Sequence, residues 1–242
     1  MRPILIYSKK EAERNAFAVN KICSLLGAEL KTPDYDGGAE FVINRSNDFR
    51  VAERFEKRGI RVFNPSEFSY LANDKQRCYD FMEQNGIEIM PTRYKTPPFV
   101  KKPRDGHGGR GVIMCNFEDD YDENTVCQKP ASDLGRDLRV WVIGGEIVAS
   151  MLRVSNTDFR SNFCLGGKAL SYELSEGEVT LIKKIISLVK GDYYGIDFVF
   201  DSGKAVFNEL EDTVGARMLY EKGDIDILAL YCEYIKNQLK IK

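Results

Sequence analysis

Two groups of residues in this sequence could do chemistry. The first is KKPRDGHGGRGV, residues 101–112, with four glycines and five charged side chains in twelve positions, set between a strand-like PPFV and the apolar VIMC. Gly106, Gly108, Gly109 and Gly111 would let backbone N–H groups approach a phosphate, and Lys102 adds a point charge beside them. Gly106, Gly108 and Gly111 satisfy G-x-G-x-x-G, but a dinucleotide fingerprint needs a helix next, and VIMC reads as strand. A Walker A loop needs Gly-Lys followed by Ser or Thr, whereas Arg110 is followed by Gly111. What remains is a phosphate-binding flap between antiparallel strands. The second group is Asp197, Glu209 and Glu211 in GIDFVFDSGKAVFNELE. Two adjacent strands with a short turn place carboxylates at i and i+2 on one face, opposite a third. Three such groups repel unless a cation sits among them, and magnesium, which takes carboxylate and phosphate oxygens, suits that place. A solvated strand edge is the alternative for any one of them alone.

The elements that must position these groups follow from periodicity. PILIY is a short strand, and Ser8 with Glu11 forms a capping-box signature ahead of the helical spacing in AFAVNKICSLLG. FVIN, NDFRVAERFEKRG and IRVF repeat strand, helix, strand, which predicts a small parallel α/β unit. A helix over 74–86 stops at Gly86, and three prolines within 91–98 mark a linker. From there the pattern is one of hairpins: strands flank the glycine loop, TVCQ is another, and LRVWVI-GG-EIVASML closes at Gly144-Gly145. Counted across that two-residue turn, Arg139 and Arg153 fall on opposite faces. Ser175 and Glu178 cap a further amphipathic helix, and another closes the sequence.

Composition narrows the function classes. Thirty-five Lys and Arg against 37 Asp and Glu give a net charge of −2, so no global basic field favours nucleic acid or an anionic membrane. Six scattered cysteines, without a CxxC pair, read as reduced thiols. No stretch approaches the ~18 apolar residues of a membrane span, and no secretory leader pattern is visible, so a cytoplasmic protein is expected. A protein kinase would need His-Arg-Asp and Asp-Phe-Gly motifs. The single histidine is His107, inside the flap, and Asp197-Phe198 is followed by Val199.

Lys102-Pro103-x-x-Gly106-x-Gly108-Gly109-x-Gly111-Val112 resembles the flap of the ATP-grasp superfamily, and Asn73-Asp74-Lys75 resembles the start of its first subdomain. The segments 135–153, 158–167 and 195–211 follow in the order of the RimK-like branch, the α-L-glutamate ligases, with bacterial glutathione synthetase a relative. This implies an α/β ATP-grasp fold with a pre-ATP-grasp unit at 1–72, a flap subdomain at 73–127 and a C-terminal subdomain at 128–242 carrying the metal site. The resemblance also implies roles. Lys75 and Lys102 would contact phosphates, and Gln128, Lys129 and Ala131, with Pro130 tolerated between them, would form the adenine hinge. Asp137 would join the nucleotide site, and Asp197, Glu209 and Glu211, the last where the family usually has Asn, would hold Mg²⁺ or Mn²⁺. Arg139 and Arg153 would meet a carboxylate or acyl phosphate, with ion pairing of Arg139 to Asp137 as the rival reading. Arg160, Ser161 and Asn162 with Gly166-Gly167 resemble the loop that closes over the reacting phosphate.

The expected activity is an ATP- and Mg²⁺-dependent carboxylate–amine ligase acting through an acyl phosphate on small-molecule or peptide substrates. A nucleotide-binding module without catalysis and a phosphotransferase are the alternatives. The N-terminal unit is short for this branch, which leaves a large acceptor or a homo-oligomer that completes the site as further expectations.

Overall fold

The computed structural model describes residues 1–117, 123–161, 168–222 and 225–241. Strands β1 (Ile4–Ile6), β2 (Glu29–Lys31), β3 (Val42–Asn44) and β4 (Val62–Phe63) form a parallel sheet in the order β2-β1-β3-β4. All of β1 and β3 is buried, as the apolar runs predict for parallel strands covered on both faces. Edge strand β2 is half polar, and the hydrophobic pattern had not marked it. The Ser8 hydroxyl accepts from the Glu11 N–H and caps α1 (Lys9–Arg14), but the Glu11 carboxylate pairs with Arg14 instead of returning to Ser8. The expected single helix therefore breaks at Asn15 and resumes as α2 (Ala16–Leu26), which ends at Gly27 in the left-handed conformation. Helix α3 (Phe49–Glu56) covers the other face with Val51, Ala52 and Phe55.

Helices α4 (Ser66–Ala72) and α5 (Lys75–Gln84) lead into a three-stranded antiparallel sheet, β6-β5-β7, made of β5 (Phe99–Pro103), β6 (Ile113–Cys115) and β7 (Thr125–Gln128). Its buried apolar cluster is small, Phe99 with Cys115 and Cys127. A five-stranded antiparallel sheet follows, in the order β10-β9-β8-β11-β12. Its strands are β8 (Arg136–Ile143), β9 (Glu146–Val154), β10 (Lys168–Ser171), β11 (Tyr193–Asp201) and β12 (Lys204–Glu211). One face packs on α4, α5 and α6 (Glu176–Leu188), whose N-terminus carries a complete capping box between Ser175 and Glu178. The other face, through Trp141 and Tyr193, shares a core with Leu5, Phe41, Ile43 and Phe63 of the parallel sheet and with α8 (Ile227–Leu239), which follows the short α7 (Arg217–Lys222).

A polar knot joins the same two layers. The buried Asn64 side-chain amide donates to the Tyr193 and Asp212 carbonyls and to the Asp212 carboxylate, while its oxygen accepts from the N–H groups of Asp192 and Tyr193. Among the described residues no helix is long and apolar enough to cross a membrane, and the described cysteines are free thiols.

The β8–β9 hairpin departs from simple parity. Ile143 pairs with Glu146 and Val142 with Ile147 across the glycine turn, but Trp141 pairs with Ala149, so Val148 is an extra residue. This bulge shifts every later pair by one, and Arg153 comes to lie opposite Asp137. Arg139 and Arg153 therefore share a face, against the expectation of opposite faces.

Candidate active site

On the shared face of β8, β9, β11 and β12, carboxylates and cations alternate in a buried lattice. Asp197 lies opposite Glu209 and Gly195 opposite Glu211, with a register irregularity after Asp197. One oxygen from each of Asp197, Glu209 and Glu211 falls within 4.8 Å of the others. Arg139 grips Asp197 in a two-pronged pair, Nε to Oδ1 at 2.7 Å and a terminal nitrogen to Oδ2 at 2.6 Å, and that nitrogen also reaches Glu211 at 3.0 Å. Arg153 bridges Asp137, to which it donates from Nε and at 2.8 Å from a terminal nitrogen, and Asp197 at 2.7 Å. Such forks are the strong form of charge-assisted hydrogen bond.

Two expectations change here. Repulsion among the three carboxylates is relieved by Lys75, Arg139 and Arg153 themselves, so that argument alone does not require a metal. The partner of Asp137 is Arg153, not Arg139. Burial would raise the Asp197 carboxyl, and Arg139 and Arg153 overcome it, holding it well below the usual range. Glu211 is raised, by burial first and then by the like charges of Glu209 and Asp197, against the pull of Arg139.

Lys75 begins α5, capped by Asp74, whose side chain accepts from the Arg77 N–H. Its Nζ pairs with Glu209 at 2.7 Å and donates to the Gly106 carbonyl of the flap. Burial would lower its amine, but Glu209 and then Glu211 outweigh it and raise it. Lys102, on β5 and equally buried, donates to the Tyr79 hydroxyl at 2.5 Å and the Asn208 amide oxygen at 3.1 Å. With no carboxylate among these hydrogen-bonding partners, burial dominates and lowers it to about 7, Glu209 opposing and Lys75 adding to the drop. Tyr79 and Asn208 escaped the sequence reading. Tyr79 lies four residues after Lys75 on one helix face and Asn208 directly before Glu209, and those two spacings are the signals that could have found them.

The flap loop between β5 and β6 has positive φ at Gly108, Gly109 and Gly111. At Gly111, φ is 70° and an added Cβ would stand 2.8 Å from Pro103 Cγ, so glycine is needed there. Arg160 pairs with Asp158 and reaches across to the Gly109 and Val112 carbonyls at 3.2 and 3.3 Å, tying the 158–161 loop to the flap. Burial raises the Asp137 carboxyl, against the pull of Arg153 and, more weakly, of the buried Ser161. Asn162, Gly166 and Gly167 lie outside the described residues. At the end of β7 the Gln128 amide donates to the Met90 carbonyl and the Lys129 N–H to the Pro91 carbonyl.

These groups surround two clefts. A narrow one, with a free volume of about 120 Å³, is lined by Lys75, Lys102, Asp137, Asp197, Glu209 and the stretch 128–131, among others. A wide one of about 650 Å³ lies between the N-terminal layer and the C-terminal sheet, and Arg139 and Glu211 line it. Pro103, Gly106, Arg110 and Arg153 line both, so the two meet beneath the flap.

A family model for the RimK-like ATP-grasp domain matches residues 69–235. The chain belongs to the RimK-like ATP-grasp family. Among curated relatives of this RimK-like protein, the uncharacterized protein MG011 of Mycoplasma genitalium is 27% identical over 84% of this chain and 76% of its own length. A probable alpha-L-glutamate ligase of Stenotrophomonas maltophilia is 25% identical over 78% of this chain and 74% of its own. The crystal structure of D-alanine–D-alanine ligase from Bacillus anthracis complexed with ATP superposes with a TM-score of 0.72 at 15% identity, covering 99% of this chain and 98% of that one. The mixed α/β fold is therefore that of ATP-grasp ligases.

Proposed function

We propose that the protein is an ATP-dependent carboxylate–amine ligase, with the nucleotide in the narrow cleft and the acid and amine in the wide one. The observation that carries this reading is the meeting of the two clefts at Arg153 beneath the glycine flap. A phosphate reaching that junction would have Lys75, Lys102 and the flap N–H groups around it, and a carboxylate would face Arg139 and Arg153. The narrow cleft is well below the several hundred Å³ of a typical ligand site, so the flap and its Arg160 ties lift to admit ATP.

The donor set suits a hard divalent cation. Asp197, Glu209 and Glu211 offer only oxygens, and Glu209 and Glu211 each give one oxygen to a cation, leaving a second for an ion. Mg²⁺ or Mn²⁺ held there would neutralise charge on the phosphates. The remaining work is positioning and electrostatics. A substrate carboxylate oxygen attacks the γ-phosphorus, the β,γ-bridging oxygen departs with ADP, and an acyl phosphate is left. The amine nitrogen then attacks the acyl carbon, phosphate leaves carrying the nitrogen's proton, and an amide remains. Arg139 and Arg153, fixed by buried carboxylates, keep their forks in place with little reorganisation. Lys129 and Ala131 at the strand end supply a carbonyl and an N–H for adenine.

A wide cleft of about 650 Å³ fits an amino acid or short peptide, and the glutamate-ligase relative supports an amino acid as one partner. The test is ADP release from panels of acids and amines, alone and paired. Release that needs both, with an amide product by mass spectrometry, is expected. A stable phosphorylated product without an amine would replace the ligase with a phosphotransferase. MgADP binding without any turnover would leave a binding module.

A further inference from the structure

Helix α5 carries two functional stripes. Lys75, Cys78, Tyr79 and Met82 recur at i, i+3, i+4 and i+7 and are buried against the active site and the core of the five-stranded sheet. The same spacing two positions on gives Arg77, Asp80, Phe81 and Gln84, and these line a separate cavity with a free volume of about 590 Å³. Helix α4 forms a second wall with Phe68, Tyr70 and Leu71, and Leu188, Val189 and Lys190 at the end of α6 form the third. No residue of this cavity lines either active-site cleft. Its volume is that of a small-molecule site, and its walls have the composition of one, apolar and aromatic with a few charged groups.

The charges of the cavity do not balance. Asp80 is neutralised by Arg93 at 2.9 Å. Arg77 and Arg104 both turn to one carboxylate, Asp74, at 3.3 and 2.7 Å. Lys190 and Glu67, both exposed, have no ion pair among the described residues. Three cations, Arg77, Arg104 and Lys190, thus stand against two remaining carboxylates, Asp74 and Glu67, which leaves one positive charge. A guanidinium has five N–H donors, and beyond Asp74 these two reach only the Tyr70 carbonyl, at 2.5 Å from Arg77, and the Glu123 carbonyl, at 3.2 Å from Arg104. Donors are left over beside three aromatic rings, Phe68, Tyr70 and Phe81, with the Arg77 guanidinium 3.5 Å from the centre of the Tyr70 ring. A planar ring bearing one negative charge matches both halves of this lining.

Arg104 connects this cavity to the flap. It is the first residue after β5, at the root of the glycine loop, and its carbonyl accepts from the Lys75 N–H at 2.9 Å while its Nε donates to Asp74 at 3.1 Å. The flap is therefore tied to the first turn of α5 through the carboxylate with which an anion in the cavity would compete. We propose that the cavity is a second ligand site for a small aromatic anion of one charge, and that its occupant draws Arg104 from Asp74 and loosens the root of the flap. The proposal stands apart from the ligase reading, because neither binding nor flap motion requires turnover.

The probe is anilinonaphthalene sulfonate, an aromatic monoanion whose fluorescence rises in an apolar site, compared with phenylnaphthylamine, the same ring system without the sulfonate. The full chain should bind the sulfonate saturably, with and without MgADP, and the neutral amine about tenfold more weakly, the value of a charge-assisted contact. Arg77→Gln should weaken the sulfonate about tenfold, and Lys190→Gln, at an exposed side chain, a few-fold, with circular dichroism unchanged in both. In hydrogen exchange, saturating sulfonate should speed exchange across β5–β7, and Arg104→Gln should reproduce that acceleration without the probe. The proposal is overturned if the neutral amine binds as tightly as the sulfonate, or if both Arg77→Gln and Lys190→Gln bind the sulfonate as wild type does. Displacement of the sulfonate by MgADP would put it in the nucleotide cleft and overturn the proposal too, as would unchanged exchange across β5–β7 at saturation. Failure of the ligase reading looks different: no acid and amine pair would release ADP, while sulfonate binding would still depend on Arg77.

Discussion

The flap sheet and the five-stranded sheet meet at one site yet are built on unlike principles. The β8–β12 sheet is packed on both faces, by Leu138, Val140, Ile196 and Phe198 on one side and by Trp141 and Tyr193 on the other. The β5–β7 sheet has a small apolar cluster of Phe99, Cys115 and Cys127, with Val126 reaching into the larger core, and a loop of positive-φ glycines. Buried ion pairs add little net stability but hold geometry when fully satisfied, and here they lie on the thick sheet. The lesson is a division of labour: charge is fixed where packing is deep, and movement is left where it is shallow.

If that division holds, the largest effect comes from the cores. Phe198→Ala should cost about 3–5 kcal/mol in global unfolding by urea, the usual range for a deleted buried aromatic ring. Phe99→Ala, equally buried, should open the flap locally, with faster amide exchange across β5–β7 and a much smaller change in the global midpoint. Equal midpoint shifts would erase the distinction. Next in size is Glu209→Gln. It should lower ADP release about 100- to 1,000-fold, the scale of losing one preorganised charge, while circular dichroism keeps the wild-type fold and Tm falls because buried Lys75 loses its counter-charge. Full turnover would remove Glu209 from the site.

Lys102 gives a pH test. Its amine is lowered to about 7 in the folded chain against about 10.4 unfolded, so between those values the unfolded chain binds the extra proton and this group makes stability rise with pH. Tm of the nucleotide-free protein should therefore gain more between pH 7 and 9 in wild type than in Lys102→Met. Bound triphosphate would favour the charged amine, so calorimetry at pH 8 should show proton uptake on MgATP binding that Lys102→Met lacks. The smallest effect is at Arg160. Replacing it with Ala removes its ties to the Gly109 and Val112 carbonyls and should speed MgATP association a few-fold in stopped flow, with little change in Tm.

Much of this layout was legible from residue type and spacing. The apolar runs of β1 and β3, the Ser175–Glu178 capping box and the glycine loop each announce their structure through local physics. What escaped depended on partners distant in sequence. Edge strand β2, with one exposed and two half-buried residues, lacks a pattern of its own and is recruited by β1. The face shared by Arg139 and Arg153 hangs on one bulged residue, Val148, and no periodicity in IVAS reveals an insertion. The burial of Arg45 has no local signal, because nothing nearby in sequence shows that Tyr7 and Val214 enclose it.

The amide of Asn64 and the aromatic layer of Phe63, Trp141 and Tyr193 weld the first seventy residues to the rest. Cutting the chain there would bare an oily wall, so the front portion is not a detachable cartridge. New selectivity in this scaffold would therefore arise by altering side chains around the rim of the hollow, position by position, rather than by exchanging one whole segment for another.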